Sequence, residues 1–350
     1  TLFSNTQNGN SAVGYRALRN NTTGYDNTGI GKQTLANNNI GYLNTAVGSD
    51  ALLSNTTGNE NVAIGSLSLV SNSLGSSNTA IGAYSLYNSN TSHNTAIGYF
   101  TLYATTGGSY NTTIGSLSLA NNTTGFNNTA IGALSLGGNL VGKNNTAVGM
   151  YSLANSLGDQ NTALGYDAGS IFTSGNNNIF IGYNAQPSSP AVNNEVTIGN
   201  SSNNSYRMYA ASWTNASDAR YKHDIEQLPF GLDFILQLKP RQYVYNNSTD
   251  GKITMGFVAQ EVQEVMRHFG MVDKFNLVKT LEKDFLGLNT TEIIPILVKA
   301  VQEQQQTIEQ MRTENEQMRA ENNELKQRLE RLEKYVFERT GSGDNNVGMK

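Results

Sequence analysis

The sequence predicts a mainly β protein: a β-solenoid or β-roll shaft of 16–17-residue repeats, then a small α+β domain, then a C-terminal parallel coiled coil. Three observations predict it. One glycine recurs at Gly14, Gly31, Gly48, Gly65, Gly82, Gly98, Gly115, Gly132, Gly149, Gly165, Gly182 and Gly199, spaced 17 apart with two intervals of 16. Residues 1–200 carry only ten of the 50 charged side chains, and all five prolines lie at or beyond Pro187, so two physical regimes share one chain. From Ile294 onward, apolar positions alternate by three and four.

Self-similarity at a fixed short period is the mark of stacked repeats. A 17-residue unit is too short for a helical hairpin, and its Asn, Thr, Ser and Gly suit turns rather than helix. Just before the anchor glycine stands Val, Ile or Leu, as at Val13, Ile30 and Leu164, and four residues after it comes a leucine from Leu18 to Leu153. These two columns are expected to point inward. A second glycine lies seven before the anchor at Gly24, Gly41, Gly58, Gly75, Gly108 and Gly125. The glycines mark corners needing positive φ or close approach. Each unit therefore predicts one coil with two short strands and two corners, unable to bury its apolar side chains until neighbours stack on it. The absence of proline before Pro187 fits, because every backbone donor is wanted in the ladder.

Two apolar positions per coil give a thin core, which association of several chains would repair. The "N-x-A-[IV]-G" repeat over residues 10–200 resembles the heads of trimeric autotransporter adhesins and the shafts of some phage and viral fibres. That resemblance implies three left-handed rolls packed side by side. Asparagines four before the anchor (Asn10, Asn27, Asn44, Asn61, on to Asn178) read as ladders that satisfy one another, with a ligand-facing row as the alternative. The aromatics Tyr15, Tyr84, Tyr99, Phe100, Tyr103, Tyr110, Phe126 and Tyr151 scatter around the unit, and suit interchain packing or glycan binding.

After Gln186 the repeat decays through two prolines and the sole tryptophan, Trp213, as an end cap would. "FGLDFILQL" predicts an amphipathic helix ended by Pro240; "RQYVYN" and "KITMGFV" predict strands, and "AQEVQEVMRHF" a second helix. The blocks "SDARYKHDIEQLPFGLDFILQLKPRQYVYN", "ITMGFVAQEVQEV" and "TEIIPILVKAVQEQQQTIEQM" together resemble the C-terminal intramolecular chaperone of bacteriophage endosialidases and related tail spikes. The resemblance runs from Ser217 to about Met311. It implies a domain that trimerises, guides folding of the β-rich fibre ahead of it, and cuts itself off. The family's S-D-x-R-x-K motif falls on Ser217, Asp218, Arg220 and Lys222, with Tyr221 in place of the commoner leucine. Ser217 is then the nucleophile and Lys222 its base, since a serine hydroxyl needs a base and a desolvated lysine can serve. The bond cut adjoins Ser217, either before it, at Ala216, by an acyl shift onto its own hydroxyl, or just after it. His223 is read as a solvated neighbour, with tuning of the lysine as the alternative, Asp218 as an orienting or capping group, and Gly256, Phe257, Gln260 and Glu261 as residues of packing and interchain contact.

In the tail, Ile294, Leu297, Val301, Gln304, Ile308, Met311, Asn315, Met318, Asn322, Leu325, Leu329, Leu332 and Val336 follow the a and d positions of a heptad. Glu314 with Arg319, Glu321 with Lys326 and Arg328 with Glu333 pair g with the next e, as parallel in-register chains require. Asn315 and Asn322 alone lean to a dimer, so the trimer expectation rests on the resemblance; a long helix folded back on its own domain is the alternative.

The expected organisation is 1–200 shaft, 201–216 cap and linker, 217–290 chaperone domain, 291–339 coiled-coil helix and 340–350 disordered tail. The function expected is a parallel homotrimeric fibre or adhesin segment, matured by its own chaperone, located on a virion or a cell surface. A host glycan or receptor is its external partner. The alternatives are a bacterial surface adhesin whose trimerisation domain does not cut, and a glycan-processing tail spike with its catalytic domain upstream. A start at Thr1 without methionine fits a piece of a longer polypeptide. With a net charge of −4, no basic run and no apolar stretch of membrane-spanning length, neither nucleic acid nor membrane insertion is expected. No cysteine is present and the three histidines are scattered, so no disulfide, metal or other cofactor is expected.

Overall fold

The structure, a computed structural model, describes residues 7–203, 217–246, 251–272, 274–280 and 285–340. It divides into two compact units, Thr1–Arg207 and Met208–Lys350. Trp213, Ala216 and residues 341–350 of the expected tail lie outside the described residues.

The first unit is a β-solenoid. Its twelve three-residue strands, β1 (Ser11–Val13) to β12 (Val196–Ile198), form one parallel sheet in strict sequence order. Each strand pairs with the equivalent residues of the next coil, as in Thr45↔Val62, Ala46↔Ala63 and Val47↔Ile64. The 16-residue intervals are absorbed without loss of register, as in Thr79↔Thr95. Only one strand forms per coil, not the expected two. The other side is a turn-like run whose backbone still bonds rung to rung, with Leu18 N donating to Thr34 O at 3.0 Å and Asn20 N to Ala36 O at 3.0 Å. In that run the leucines from Leu18 to Leu153 sit in the left-handed region at φ 47–51°. Such a conformation costs an L residue about 1–2 kcal/mol, and here the ladder and the burial of the leucine over-determine it.

The inward columns differ from the expectation by one residue. Leu18 to Leu153 are fully buried as foreseen, but their partner across the interior is the alanine two before the anchor, as at Ala46, Ala63, Ala80 and Ala96. The residue just before the anchor points outward: Val13, Ile30, Ile64, Ile114, Leu164, Ile181 and Ile198 are 36–62% exposed. The cause is the period of two along a strand, by which burying the middle residue turns both flanks out. A coil filled by one leucine and two asparagines leaves room for a small side chain, alanine in most coils and threonine at Thr113, whose hydroxyl bonds Thr95 O at 3.1 Å.

The asparagine ladders are interior, which removes the ligand-facing alternative. Asn61 donates its amide to Asn44 Oδ1 at 3.1 Å and to Gly75 O at 2.9 Å, while Asn61 N bonds Asn44 Oδ1 at 3.0 Å. A second ladder lies seven after the anchor, where Asn38 Nδ2 donates to Asn21 Oδ1 at 2.7 Å and Asn55 Nδ2 to Asn38 Oδ1 at 2.6 Å. It lapses where the next residue becomes Ser89, leaving Asn72 Oδ1 buried without a partner. The anchor glycines have both properties a corner can demand: at Gly98, φ is +142° and a Cβ would lie 2.6 Å from Gly115 O. At the carboxyl end Phe172 and Phe180 replace an asparagine and an alanine of the columns and pack at 5.4 Å, closing the core.

The second unit contains α1 (Leu232–Gln237), a hairpin of β13 (Arg241–Tyr243) and β14 (Thr254–Gly256), α2 (Ala259–His268), a second antiparallel pair of β15 (Val278–Thr280) and β16 (Leu286–Leu288), and α3 (Ile293–Thr340). Its core gathers Phe230, Phe234, Leu238, Val262, Met266, Met271, Leu277 and Ile296. The β15–β16 pair was not foreseen. No described helix is long and apolar enough to cross a membrane.

Candidate functional site

The stretch around Ser217 is a short turn built by its own side chains. Asp218 caps a 3-10 turn over Ala219–Tyr221, accepting Arg220 N at 2.9 Å, and Lys222 N closes it on Ala219 O at 3.0 Å. Arg220 then grips the same carboxylate with both arms, Nε to Oδ1 at 3.0 Å and Nη2 to Oδ2 at 2.7 Å. That bidentate pair holds the Asp218 carboxyl below the usual carboxylate range and raises the guanidinium. With the backbone turned back on itself, Lys222 Nζ reaches Ser217 Oγ at 2.7 Å.

The two residues read from sequence as nucleophile and base thus meet within hydrogen-bond distance, and Asp218 and Arg220 form the turn that brings them together. All four side chains are exposed. His223 pairs with Asp224 at 2.8 Å rather than with Lys222. In the single chain the Lys222 amine and the Ser217 hydroxyl therefore lie in contact with each other and open to solvent. The hollow of about 370 Å³ lined by Phe230, Phe269, Met271 and Phe275 includes neither dyad residue. Among the described residues, no three His, Asp or Glu side chains converge on a possible metal position.

Of the four residues assigned to packing, Phe257 lies against the core and Gly256 beside Tyr243, Glu261 braces β13, and Gln260 is exposed. Glu261 receives Arg241 in a bidentate pair, Nε to Oε2 at 3.0 Å and Nη2 to Oε1 at 2.7 Å, tying β13 to α2. Sequence reading missed Glu303. Its carboxylate accepts Leu232 N at 2.7 Å, capping α1 from a residue 71 positions away, where Gly231 offers no side chain. A Cβ on Gly231 would lie 2.6 Å from that carboxylate, which explains the glycine.

Helix α3 uses two faces. Ile296 and Ala300 are buried on the core of their own domain, whereas the heptad positions are not: Ile294, Leu297, Val301, Ile308, Met311, Met318, Leu325, Leu329, Leu332 and Val336 are 47–60% exposed. The back-folded alternative therefore accounts for one face only.

A second cluster lies in the solenoid. The aromatics expected to scatter are in part brought together: Tyr84, Tyr87, Tyr99, Phe100 and Tyr103 form one group across two coils. The signal was present as matching offsets, since Tyr84 and Phe100 both stand two after an anchor glycine and Tyr87 and Tyr103 both stand five after.

Residues 217–271 match a peptidase family described as the chaperone of endosialidase. No curated protein and no solved structure gives a significant match. The family match supports a trimerisation-chaperone role for the C-terminal unit, acting on a β-solenoid, and the combination fits a tail-fibre-like protein.

Proposed function

We propose that the chain is a homotrimeric fibre or adhesin segment whose C-terminal unit gathers three copies in parallel, sets the register of the solenoids and then separates by a serine–lysine cut beside Ser217. The observation that carries this is the division of labour on α3, which seats Ile296 and Ala300 on its own domain and leaves the apolar positions of its heptad column 47–60% exposed. Apolar a and d positions find cover only in partner helices. The outward Ile and Val column of the solenoid is a second surface that in-register copies would cover. Within this assignment, residues 1–200 are the shaft, 201–216 its cap and linker, 217–290 the chaperone, 291–339 the trimerising helix and 340–350 a tail. The shaft would serve attachment to an external surface, on a virion or a cell.

In the cut, Ser217 Oγ attacks an adjoining peptide carbonyl and its proton passes to the uncharged Lys222 amine. The carbon–nitrogen bond breaks as the ester forms, the freed amine takes up a proton, and water then hydrolyses the ester. Asp218 and Arg220 position the turn, and Ala216 borders the cut. Because the dyad is open in a single chain, cover by neighbouring copies is what would desolvate the amine, so cleavage waits for assembly. Removing the clamp afterwards would leave a fibre unable to retrace its folding route, a kinetic form of stability.

A denaturing gel of freshly expressed protein beside Ser217→Ala and Lys222→Ala tests the cut. The parent should give fragments of about 216 and 134 residues and the variants one intact band. One intact band in all three lanes would refute self-cleavage.

A further inference from the structure

The coils anchored at Gly82 and Gly98 carry five rings in mutual contact, where the other exposed run across coils, Tyr151, Tyr166 and Tyr183, joins three. Tyr87 and Tyr103 stack at 5.1 Å and Phe100 and Tyr103 at 4.7 Å, while Tyr84 tilts against Phe100 at 4.7 Å and Tyr99 leans on Phe100 at 4.5 Å. Tyr99 is 54% exposed and the other four are half-buried, so the group forms a surface rather than a core. Each of those four touches at least two others, which leaves little rotamer freedom to lose when something binds. Leu67 and Leu117 occupy the column two after the anchor on either side of the rings.

Two facts decide what the surface fits. First, the column two after the anchor is Arg16, Gln33 and Asp50 in the first three coils and Asp167, Asn184 and Ser201 in the last three. It meets water at both ends, unlike the column just before the anchor, which is Val, Ile or Leu in every coil and suits a face shared along the whole length by copies of the chain. Second, residues 61–142 contain no Asp, Glu, Lys or Arg. An anionic glycan or a nucleic acid would call for cations around the rings. What remains is a neutral ligand with an apolar face and a hydroxylated rim.

We infer that this platform binds an uncharged carbohydrate. Ring faces take the C–H face of a sugar, while the tyrosine hydroxyls supply donors and acceptors to its hydroxyl groups. Tyrosine suits the task because it offers large, rigid, amphipathic contact area at low conformational cost. The inference rests on the attachment role proposed above and is independent of the cut at Ser217.

The test uses full-length Ser217→Ala protein on an array of neutral, sialylated and sulfated glycans, then saturation-transfer NMR titration with the strongest neutral glycan. Neutral glycans should bind, the Tyr87→Ala/Tyr103→Ala pair should weaken binding at least about tenfold, and Tyr25→Ala, at the separate Tyr25–Tyr42 stack, should leave it unchanged. If the alanine pair fails to fold by circular dichroism, Tyr99→Ala removes the most exposed ring and should weaken binding at least about threefold. Binding to no neutral glycan, or to charged glycans alone, overturns the inference. Binding that survives ring removal overturns this site and leaves attachment through another surface standing. A drop in oligomer mass in the alanine pair, with the fold intact, would make the patch a contact between copies instead.

Discussion

The two units solve the problem of a small interior in opposite ways. The solenoid spreads its interior along an axis: most coils contribute a leucine, an alanine and buried asparagines, which stack on the equivalent residues of the coil before and after. The C-terminal unit instead concentrates eight buried apolar residues, drawn from positions as far apart as Phe230 and Ile296, around one centre. The difference bears on specificity. Along the solenoid, a shift of one coil still sets leucine against leucine and asparagine against asparagine, so stacking alone defines register between chains weakly. In the C-terminal unit few positions are interchangeable, and the asparagines at 315 and 322 mark single heights along α3. A repetitive structure gains from having its alignment imposed by a non-repetitive one.

The sharpest way to break the contrast is at glycine. Gly98→Val places a branched side chain at φ +142°, with its Cβ 2.6 Å from Gly115 O, and should cost at least about 4 kcal/mol in urea unfolding followed by circular dichroism. Gly270→Ala, at φ +66° with open space around it, should cost about 1–2 kcal/mol. Leucine gives the next contrast. Leu102→Ala empties a fully buried site and should lower solenoid stability by about 2–5 kcal/mol, whereas Leu325→Ala, exposed on α3, should leave the solenoid unchanged and weaken self-association in sedimentation velocity. Asn61→Ala removes partners from Asn44 Oδ1, Gly75 O and Asn78 N, and should cost about 1–3 kcal/mol in the same unfolding assay.

The smallest effect lies in the C-terminal unit. Arg241 holds the Glu261 carboxyl below the ordinary glutamate range. Its contribution is therefore present above the unfolded value and lost as pH falls through the lower folded one. Melting of the parent should become easier on acidification over that window, and Glu261→Gln should flatten this part of the pH dependence.

Much of the architecture was legible because repeats announce themselves. The anchor glycines gave the coil, its length and its count, and the heptad gave α3. The strand phase was misread because a three-residue strand has no internal periodicity to fix which face is buried. The candidate alanine stood beside a larger residue that hydrophobicity alone favours. The left-handed leucines were hidden for a different reason: local propensity opposes them, and only the ladder between coils enforces them. At the site, the five-residue spacing of Ser217 and Lys222 carried no information without the blocks around it. The Asp218–Arg220 clamp that closes their distance depends on side-chain geometry that a sequence does not display. Glu303 was illegible because capping across 71 positions follows from tertiary packing.

The central claim is that the C-terminal unit assembles the chains. Multi-angle light scattering on the intact Ser217→Ala protein tests it most directly. Assembly predicts a mass three times that of the 37.8 kDa chain, reduced when Leu325 and Leu329 are both changed to aspartate. A mass of one chain for the protein with its heptad column intact would contradict it.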